Sequence, residues 1–193
     1  EMDIPVVFFN GYYPSLSGTY SVCADNQAGG AELVRHLIER GHTKIAGFFK
    51  SDDIQGHQRY SGFISELFRN GLIIPDENVF WYITETKEEL FNNPQEVLNR
   101  LGDNTAVVCY NDEVAFGLIK CLLSAGRRVP EDVAVVSFDN SNLSRISPVT
   151  ITSLSYEDRN IGKIAAQKLV DILNGKEVTS EVLPWTFIQK ESS

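Results

Sequence analysis

The residues best suited to chemistry in this chain are planar polar groups placed just after short apolar runs. Asn10 follows Ile4–Phe9, and Lys50-Ser51-Asp52-Asp53-Ile54-Gln55 follows Lys44–Phe49. Tyr110-Asn111-Asp112-Glu113 follows Thr105–Cys109, and Asp139-Asn140-Ser141 follows Asp132–Phe138. Arg59 lies one helical turn beyond Gln55, on the same helix face. Carboxylates, amides and a guanidinium can each make paired hydrogen bonds to neighbouring hydroxyls. Trp81, Tyr82, Tyr12 and Tyr13 could supply flat apolar walls for the C–H faces of such a ligand. The set therefore suits reversible binding of a hydroxyl-rich small molecule.

Each residue also has a local explanation. Asn111 is a natural N-cap, and Asp112 and Glu113 fall in a first helical turn, where the helix dipole favours acids. On local grounds capping is the better reading of Asp112 and Glu113. Asp52 and Asp53 fit caps of the next helix, Arg59 a surface helix position, Asp139 an Asx-turn, and Trp81 and Tyr82 strand core. What raises the functional reading is that they all fall at strand ends, where open parallel sheets bind ligands.

The elements that must position these groups repeat along the chain. Apolar runs at Lys44–Phe49, Asn78–Tyr82, Thr105–Cys109 and Asp132–Phe138 alternate with helical patterns at Gln55–Asn70, Lys87–Leu101 and Asp112–Ala125. An earlier helix, Gln27–Arg40, is followed by Gly41 at its C′ position, which places His42 in the turn to the next strand. Near-continuous apolar strands, each followed by an amphipathic helix, predict a doubly wound α/β sheet buried on both faces. The flanks differ. Residues 1–20 hold one strand and a Gly-, Pro-, Ser- and Tyr-containing loop, residues 156–174 form one amphipathic helix, and Val182–Gln189 reads as a final strand.

Several chemistries find no support. Gly29-Gly30 lie inside the first helix rather than in a GxGxxG turn, and neither a GxxxxGK[ST] loop nor a GxSxG elbow occurs. Asp52-Asp53 resembles the acidic pair of a receiver domain, but the later groups do not follow in a receiver's order. His36, His42 and His57 show no metal-binding spacing, so no metal and no cofactor are expected. A sugar hydrolase working through two facing carboxylates, Asp53 and Asp139, stays open as the enzymatic alternative.

Composition narrows the class. The chain has 193 residues, 42% of them hydrophobic, enough for an ordinary core. Its 17 basic and 26 acidic residues give a net charge of -9, which is not the electrostatics of a nucleic-acid surface. Three cysteines, far apart and without a CxxC pair, fit small core side chains in a reducing compartment. No run nears the roughly 18 apolar residues of a membrane span. Glu1-Met2-Asp3 does not look like a natural start, and the chain reads as a piece of a longer protein.

The order of motifs closely resembles the effector-binding core of the LacI/GalR transcriptional repressors. The resemblance rests on Ile4-Pro5-Val6-Val7, His36-Leu37 with Gly41–Ala46, Gln58–Phe63, Tyr110–Ala115 and Val129–Asp139, all in sequence. Phe49–Gly56 and Cys109–Glu113 look most like the arabinose-responsive repressors, which join this sensor to a GntR-type DNA-binding head. The resemblance implies a periplasmic-binding-protein-like fold of two lobes, with residues 22–153 and 182–190 in a nearly complete second lobe. Residues 1–20 and 156–180 would be parts of the first lobe, and the DNA-binding head would be absent. It implies a small sugar, first of all L-arabinose, held in the cleft by Arg59, Asp139, Asn111, Gln55 and Asn10. Trp81 would act as the aromatic wall, and Tyr156 would lie near a crossover. It further implies a cytoplasmic, homodimeric, non-enzymatic regulator that contacts DNA through another segment. A transport-type sugar-binding protein would share this fold.

Overall fold

The computed structural model describes residues 4–156 and 160–193; Glu1-Met2-Asp3 and the early part of the helix expected over 156–174 lie outside the described residues. In chain order the elements begin with β1 (Val6–Phe9), β2 (Thr19–Ala24), α1 (Asn26–Glu39), β3 (Ile45–Lys50), α2 (Ile54–Arg69) and β4 (Val79–Tyr82). Next come α3 (Pro94–Leu101), β5 (Ala106–Cys109), α4 (Asp112–Ser124), β6 (Ala134–Phe138), α5 (Asn142–Ile146) and β7 (Thr152–Ser155). The chain ends with α6 (Ile161–Leu173), β8 (Glu181–Leu183) and β9 (Thr186–Ile188). Two compact units result, one from residues 1–25 and 156–185, the other from 26–155 and 186–193.

The larger unit is a six-stranded sheet in the order β4-β3-β5-β6-β7-β9, parallel except for β9, which runs antiparallel to β7. This is the α/β architecture expected from the alternating runs. Period-two alternation sorts side chains to its two faces. Phe48, Phe80, Tyr82, Val107, Cys109 and Val135 share a core with Val97 and Leu101 of α3 and with Val114, Leu118 and Leu122 of α4. The Phe48 and Phe80 rings stack at 4.1 Å. On the opposite face Phe49 meets Phe63 of α2 at 5.2 Å. Each fully buried Phe or Leu contributes about 1.5–3 kcal/mol. All three cysteines are buried free thiols. The smaller unit is a parallel three-stranded sheet, β1-β2-β8, with α6 packed on β1 and β2.

Several elements depart from the sequence reading, the unread short helix α5 among them. The helix expected over Lys87–Leu101 is a 3-10 turn at Thr84–Glu89 followed by α3. Pro94 lacks the N–H a continuous helix needs, so α3 starts there, capped by Asn93 accepting from the Glu96 amide at 3.3 Å. The strand expected over Val182–Gln189 is two, because Pro184 cannot donate to a ladder. β8 pairs with β2, and β9 with β7. β2 and β7 were not anticipated; β7 reads Thr-Ser-Leu-Ser yet is wholly buried. The turn after α1 follows expectation, with Gly41 at φ +89° and the His42 amide bonded to the Leu37 carbonyl at 3.1 Å. His36, buried against Phe187, is pushed down to about 4 by desolvation and by the nearby Arg40 and His42 charges, so it stays neutral.

α1 and α2 cross at two glycines. A Cβ at Gly30 would stand 2.2 Å from the Arg59 carbonyl oxygen, and one at Gly62 would stand 1.9 Å from that of Gln27. Both neighbours are backbone, so the helices would have to separate. Alanine favours a helix over glycine by about 1 kcal/mol, but overpacking costs about 1–3 kcal/mol and here acts on main chain. Gly30→Ala is therefore expected to destabilise the protein, seen as a lower urea midpoint by far-UV circular dichroism. An unchanged or raised midpoint would contradict the close crossing.

Candidate functional site

Arg59 is the centre of the polar groups at the carboxyl edge of the larger sheet. It sits in the second turn of α2, and its side chain is only 3% exposed. A guanidinium in such a place needs an acceptor on each edge. Its Nε donates to Asn26 Oδ1 at 3.0 Å, one terminal nitrogen donates to the Tyr110 carbonyl, and the other reaches Asp139 Oδ1 at 3.4 Å. Its flat faces lie 4.6 Å from the Tyr110 ring and 4.3 Å from the Phe138 ring. Asn26 is held in turn by a 3.1 Å bond to Gln58.

Asp139 ends β6 in a left-handed conformation, φ +95°, followed by Asn140 at φ +47°. For residues other than glycine this costs on the order of 1–3 kcal/mol each and persists only where the surroundings impose it. Desolvation pushes the Asp139 carboxyl above the usual carboxylate range, while the Arg59 guanidinium pulls the other way. Its side chain keeps 31% exposure, and among the described residues only Oδ1 has a hydrogen-bond partner. The second oxygen is an open acceptor.

Around this pair the structure places Tyr110, Gln55, Asp53 and Lys50. The Tyr110 hydroxyl donates to Asp53 Oδ2 at 2.7 Å and lies 3.3 Å from Gln55 Oε1. Burial pushes the Tyr110 hydroxyl up. Asp53 caps α2 through the Gly56 amide at 2.7 Å and takes Lys50 at 3.0 Å. Asp52 accepts the amide and hydroxyl of Thr84, at 3.0 and 2.6 Å, which hold it at about 2. The local reading of the two acids as caps of α2 holds for Asp53, whereas Asp52 ties the β3 end to Thr84 instead. Asp53 is already fully engaged, which leaves it a poor partner for Asp139 in hydrolysis.

The remaining candidates divide. Asn111 caps α4 with Oδ1, accepting the Val114 amide at 3.1 Å, so only its amide NH2 is left for a ligand. Glu113 pairs with Lys87 at 3.0 Å. Trp81 stands against α2, 4.9 Å from Tyr60 and 5.7 Å from His57, and is half-exposed rather than in contact with Arg59 or Asp139. Tyr82 points to the other face and meets Tyr110 edge-on at 6.1 Å. Asn10 and Tyr156 belong to the smaller unit. There Asn10 ends β1 at φ +59°, and Tyr156 packs on Trp185 at 5.2 Å.

Sequence reasoning missed Asn26, and gave Asp112 and Phe138 no binding role. The one signal for Asn26 was its place directly after β2, a strand that was not read. Asp112, 1% exposed, accepts from Ser153, Ser137 and the Ser141 amide rather than serving α4 alone. Among the described residues there is no cluster of His, Cys, Asp and Glu able to hold a metal, and no helix long and apolar enough to cross a membrane.

This sheet, parallel except for β9, with a buried arginine and an aspartate at positive φ beyond its carboxyl edge, defines a doubly wound α/β domain. Residues 34–193 match the family described as periplasmic binding protein-like domain, and the chain belongs to that family. Its relatives are LacI-type regulators. The arabinose metabolism transcriptional repressors of Halalkalibacterium halodurans and Geobacillus stearothermophilus are each 35% identical to it, covering 88% and 92% of this chain and 46% and 50% of their own length. The chain thus spans about half the length of these curated relatives. A solved transcriptional regulator CelR–cellobiose complex superposes with a TM-score of 0.87 at 29% identity, covering 97% of this chain and 58% of the other. A LacI family transcriptional regulator from Enterococcus faecium with bound ribose gives 0.84 at 26% identity, covering 98% and 70%.

Asn26→Ala removes an acceptor from a buried guanidinium and should cost about 1–3 kcal/mol. Chemical denaturation of the variant against the parent measures this. A difference near zero would mean that water replaces Asn26 at no cost.

Proposed function

We propose that this chain is the sugar-sensing part of a transcriptional repressor. The observation that carries the reading is the Arg59–Asp139 pair at the sheet's carboxyl edge, with one Asp139 oxygen unengaged. A sugar with neighbouring hydroxyls would donate to Asp139 and accept from Arg59, while the Asn111 amide and Gln55 add polar contacts. On family resemblance alone, Asn10 and Tyr156 contribute from the smaller unit, and Trp81 serves as an apolar wall. The larger unit is one lobe of the sensor and the smaller unit part of the other. L-arabinose is the first candidate, from the 35% identity to arabinose repressors.

Each charge-assisted bond to the ligand contributes roughly 1.5–3 kcal/mol. Arg59 and Asp139 already contact each other, so the sugar exchanges an interaction rather than adding one, and the net gain is smaller. Affinity in the micromolar-to-millimolar range follows, about -8 to -4 kcal/mol. Sugar binding changes DNA affinity only by touching two states of the protein unequally, a coupling of typically 1–3 kcal/mol. DNA contact belongs to a segment outside this acidic chain, in a cytoplasmic homodimer, and the site carries out no turnover.

Calorimetry on the full-length protein with L-arabinose and a panel of pentoses and hexoses tests this. Asp139→Ala is expected to abolish binding in a protein that still folds, as judged by a native far-UV circular dichroism spectrum, with a stability loss comparable to that of Asn26→Ala; binding at parental strength would refute the assignment. Affinity should also fall on acidification, because the sugar's hydroxyls donate to the carboxylate form. The Asp139 pKa is raised in the folded state, so the loss sets in at a higher pH than for an ordinary aspartate. In the sugar-free protein the same shift has the opposite sign for stability: Asp139 stabilises the fold at low pH, and this is lost as pH rises through its folded value. A binding curve flat to the ordinary aspartate range would remove Asp139 from the site.

A further inference from the structure

Asp112 is a carboxylate buried to 1% exposure at the start of α4, and no basic side chain pairs with it among the described residues. Asn111 already caps α4, so the helix does not require this second acid. A helix N-terminus returns little against the cost of burying an unpaired charge. Its oxygens are spent elsewhere. Oδ1 accepts the Ser153 hydroxyl at 2.8 Å and the Ser137 hydroxyl, and Oδ2 accepts the Ser141 amide at 2.5 Å. Ser153, whose hydroxyl donates to Asp112, accepts the Asn140 amide at 3.0 Å. The Asp139 amide is tied separately to the Leu154 carbonyl at 2.8 Å.

All three amides of the Asp139-Asn140-Ser141 turn are therefore pinned, two of them through Asp112. This is the turn that holds two residues at positive φ. We propose that Asp112 is a positioning residue for the effector site: its buried carboxylate holds the β6 turn in the strained form that aims Asp139 at Arg59. The consequence for ligand binding rests on the sugar-sensing reading above; the clamp itself does not.

Released from Ser141 and Ser153, the turn relaxes toward negative φ and swings the Asp139 carboxylate away from Arg59. The clamp also acts through charge. Asp139 faces Arg59 from α2, Tyr110 from the end of β5 and Asp112 from α4. On the far side of the turn Lys190 holds Asn140 Oδ1 at 2.6 Å. Of these, Asp112 reinforces desolvation in raising the Asp139 carboxyl, and Arg59 opposes it.

Two substitutions in the full-length protein separate clamp from charge. Asp112→Ala removes both. Asp112→Asn keeps an acceptor for the Ser141 amide, while the serine hydroxyls turn to accept from its NH2, so the turn survives without the charge. Affinity for L-arabinose or another pentose or hexose that the parent binds is expected to fall at least about tenfold in Asp112→Ala and to stay within about threefold in Asp112→Asn. The Asp139 carboxyl carbon, followed by NMR of aspartate-labelled protein without sugar, should titrate at lower pH in Asp112→Asn than in the parent. Parental affinity in Asp112→Ala, or an unmoved Asp139 titration in Asp112→Asn, overturns the proposal. Should Asp112→Ala not fold, Ser153→Ala, which frees the Asn140 amide while leaving Asp112 in place, is expected to lower affinity likewise, and parental affinity there overturns the proposal. A parent that binds none of the sugars refutes the sensing reading; the clamp is then decided by amide hydrogen exchange at Asn140 and Ser141 in the sugar-free protein, expected faster in Asp112→Ala than in the parent and Asp112→Asn, with equal rates overturning it.

Discussion

The burial of one guanidinium organises the larger unit. A charge cannot sit in an apolar layer unless its donors are met and its faces covered, so Arg59 dictates what surrounds it. Asn26 and the Tyr110 carbonyl take the inner donors, and the rings of Tyr110 and Phe138 cover the faces. Asp139 takes the outer donor, at 3.4 Å. This is the loosest contact of the set and the one toward which a ligand could intervene. The α1–α2 crossing at Gly30 and Gly62 belongs to the same constraint, because it brings Asn26 and Arg59, on different helices, within a hydrogen bond.

Around this fixed cation the acids fall into two kinds. Asp53, Asp52 and Asp112 have their oxygens taken up by caps, threonine or serine donors and, for the first two, by Lys50. Among the described residues Asp139 is held at one oxygen only, on a strained turn. The division is physical. An acid whose acceptor sites are filled rigidifies the scaffold, whereas one with a vacant site and a raised pKa can exchange partners. A site built this way suits reversible binding, since nothing in it must be broken except a long contact.

Much of this was legible in the chain and some was not. The rule that ligands gather at strand ends picked out Arg59's neighbours Asp139 and Gln55, and cap chemistry correctly read Asn111 and Asp53, because both depend on near neighbours in sequence. The strands β2 and β7 escaped because hydroxyl residues interrupt the apolar run that marks the other strands, as in Thr-Tyr-Ser-Val-Cys-Ala and Thr-Ser-Leu-Ser. The β7 hydroxyls are buried because β6 and β9 flank that strand. Missing β2 hid Asn26, which follows it. The long helix read over Lys87–Leu101 ignored Pro94 and ran through a chain break in hydrogen bonding. Trp81 and Tyr82 have opposite fates on one strand, and only the side from which α2 packs decides which of them faces it.

By itself the sequence determined the alternation of buried strands and amphipathic helices, the caps and turns that punctuate them, and the net acidic charge. These are set by local periodicity and composition. Tertiary structure alone decided that Arg59 is buried rather than solvated, that Asp112 serves a turn far along the chain rather than its own helix, and that Asp139 meets Arg59 through one oxygen. Each of those outcomes depends on groups separated by many residues in sequence and a few ångströms in space. Burial and hydrogen-bond completion are properties of that neighbourhood, not of the residue.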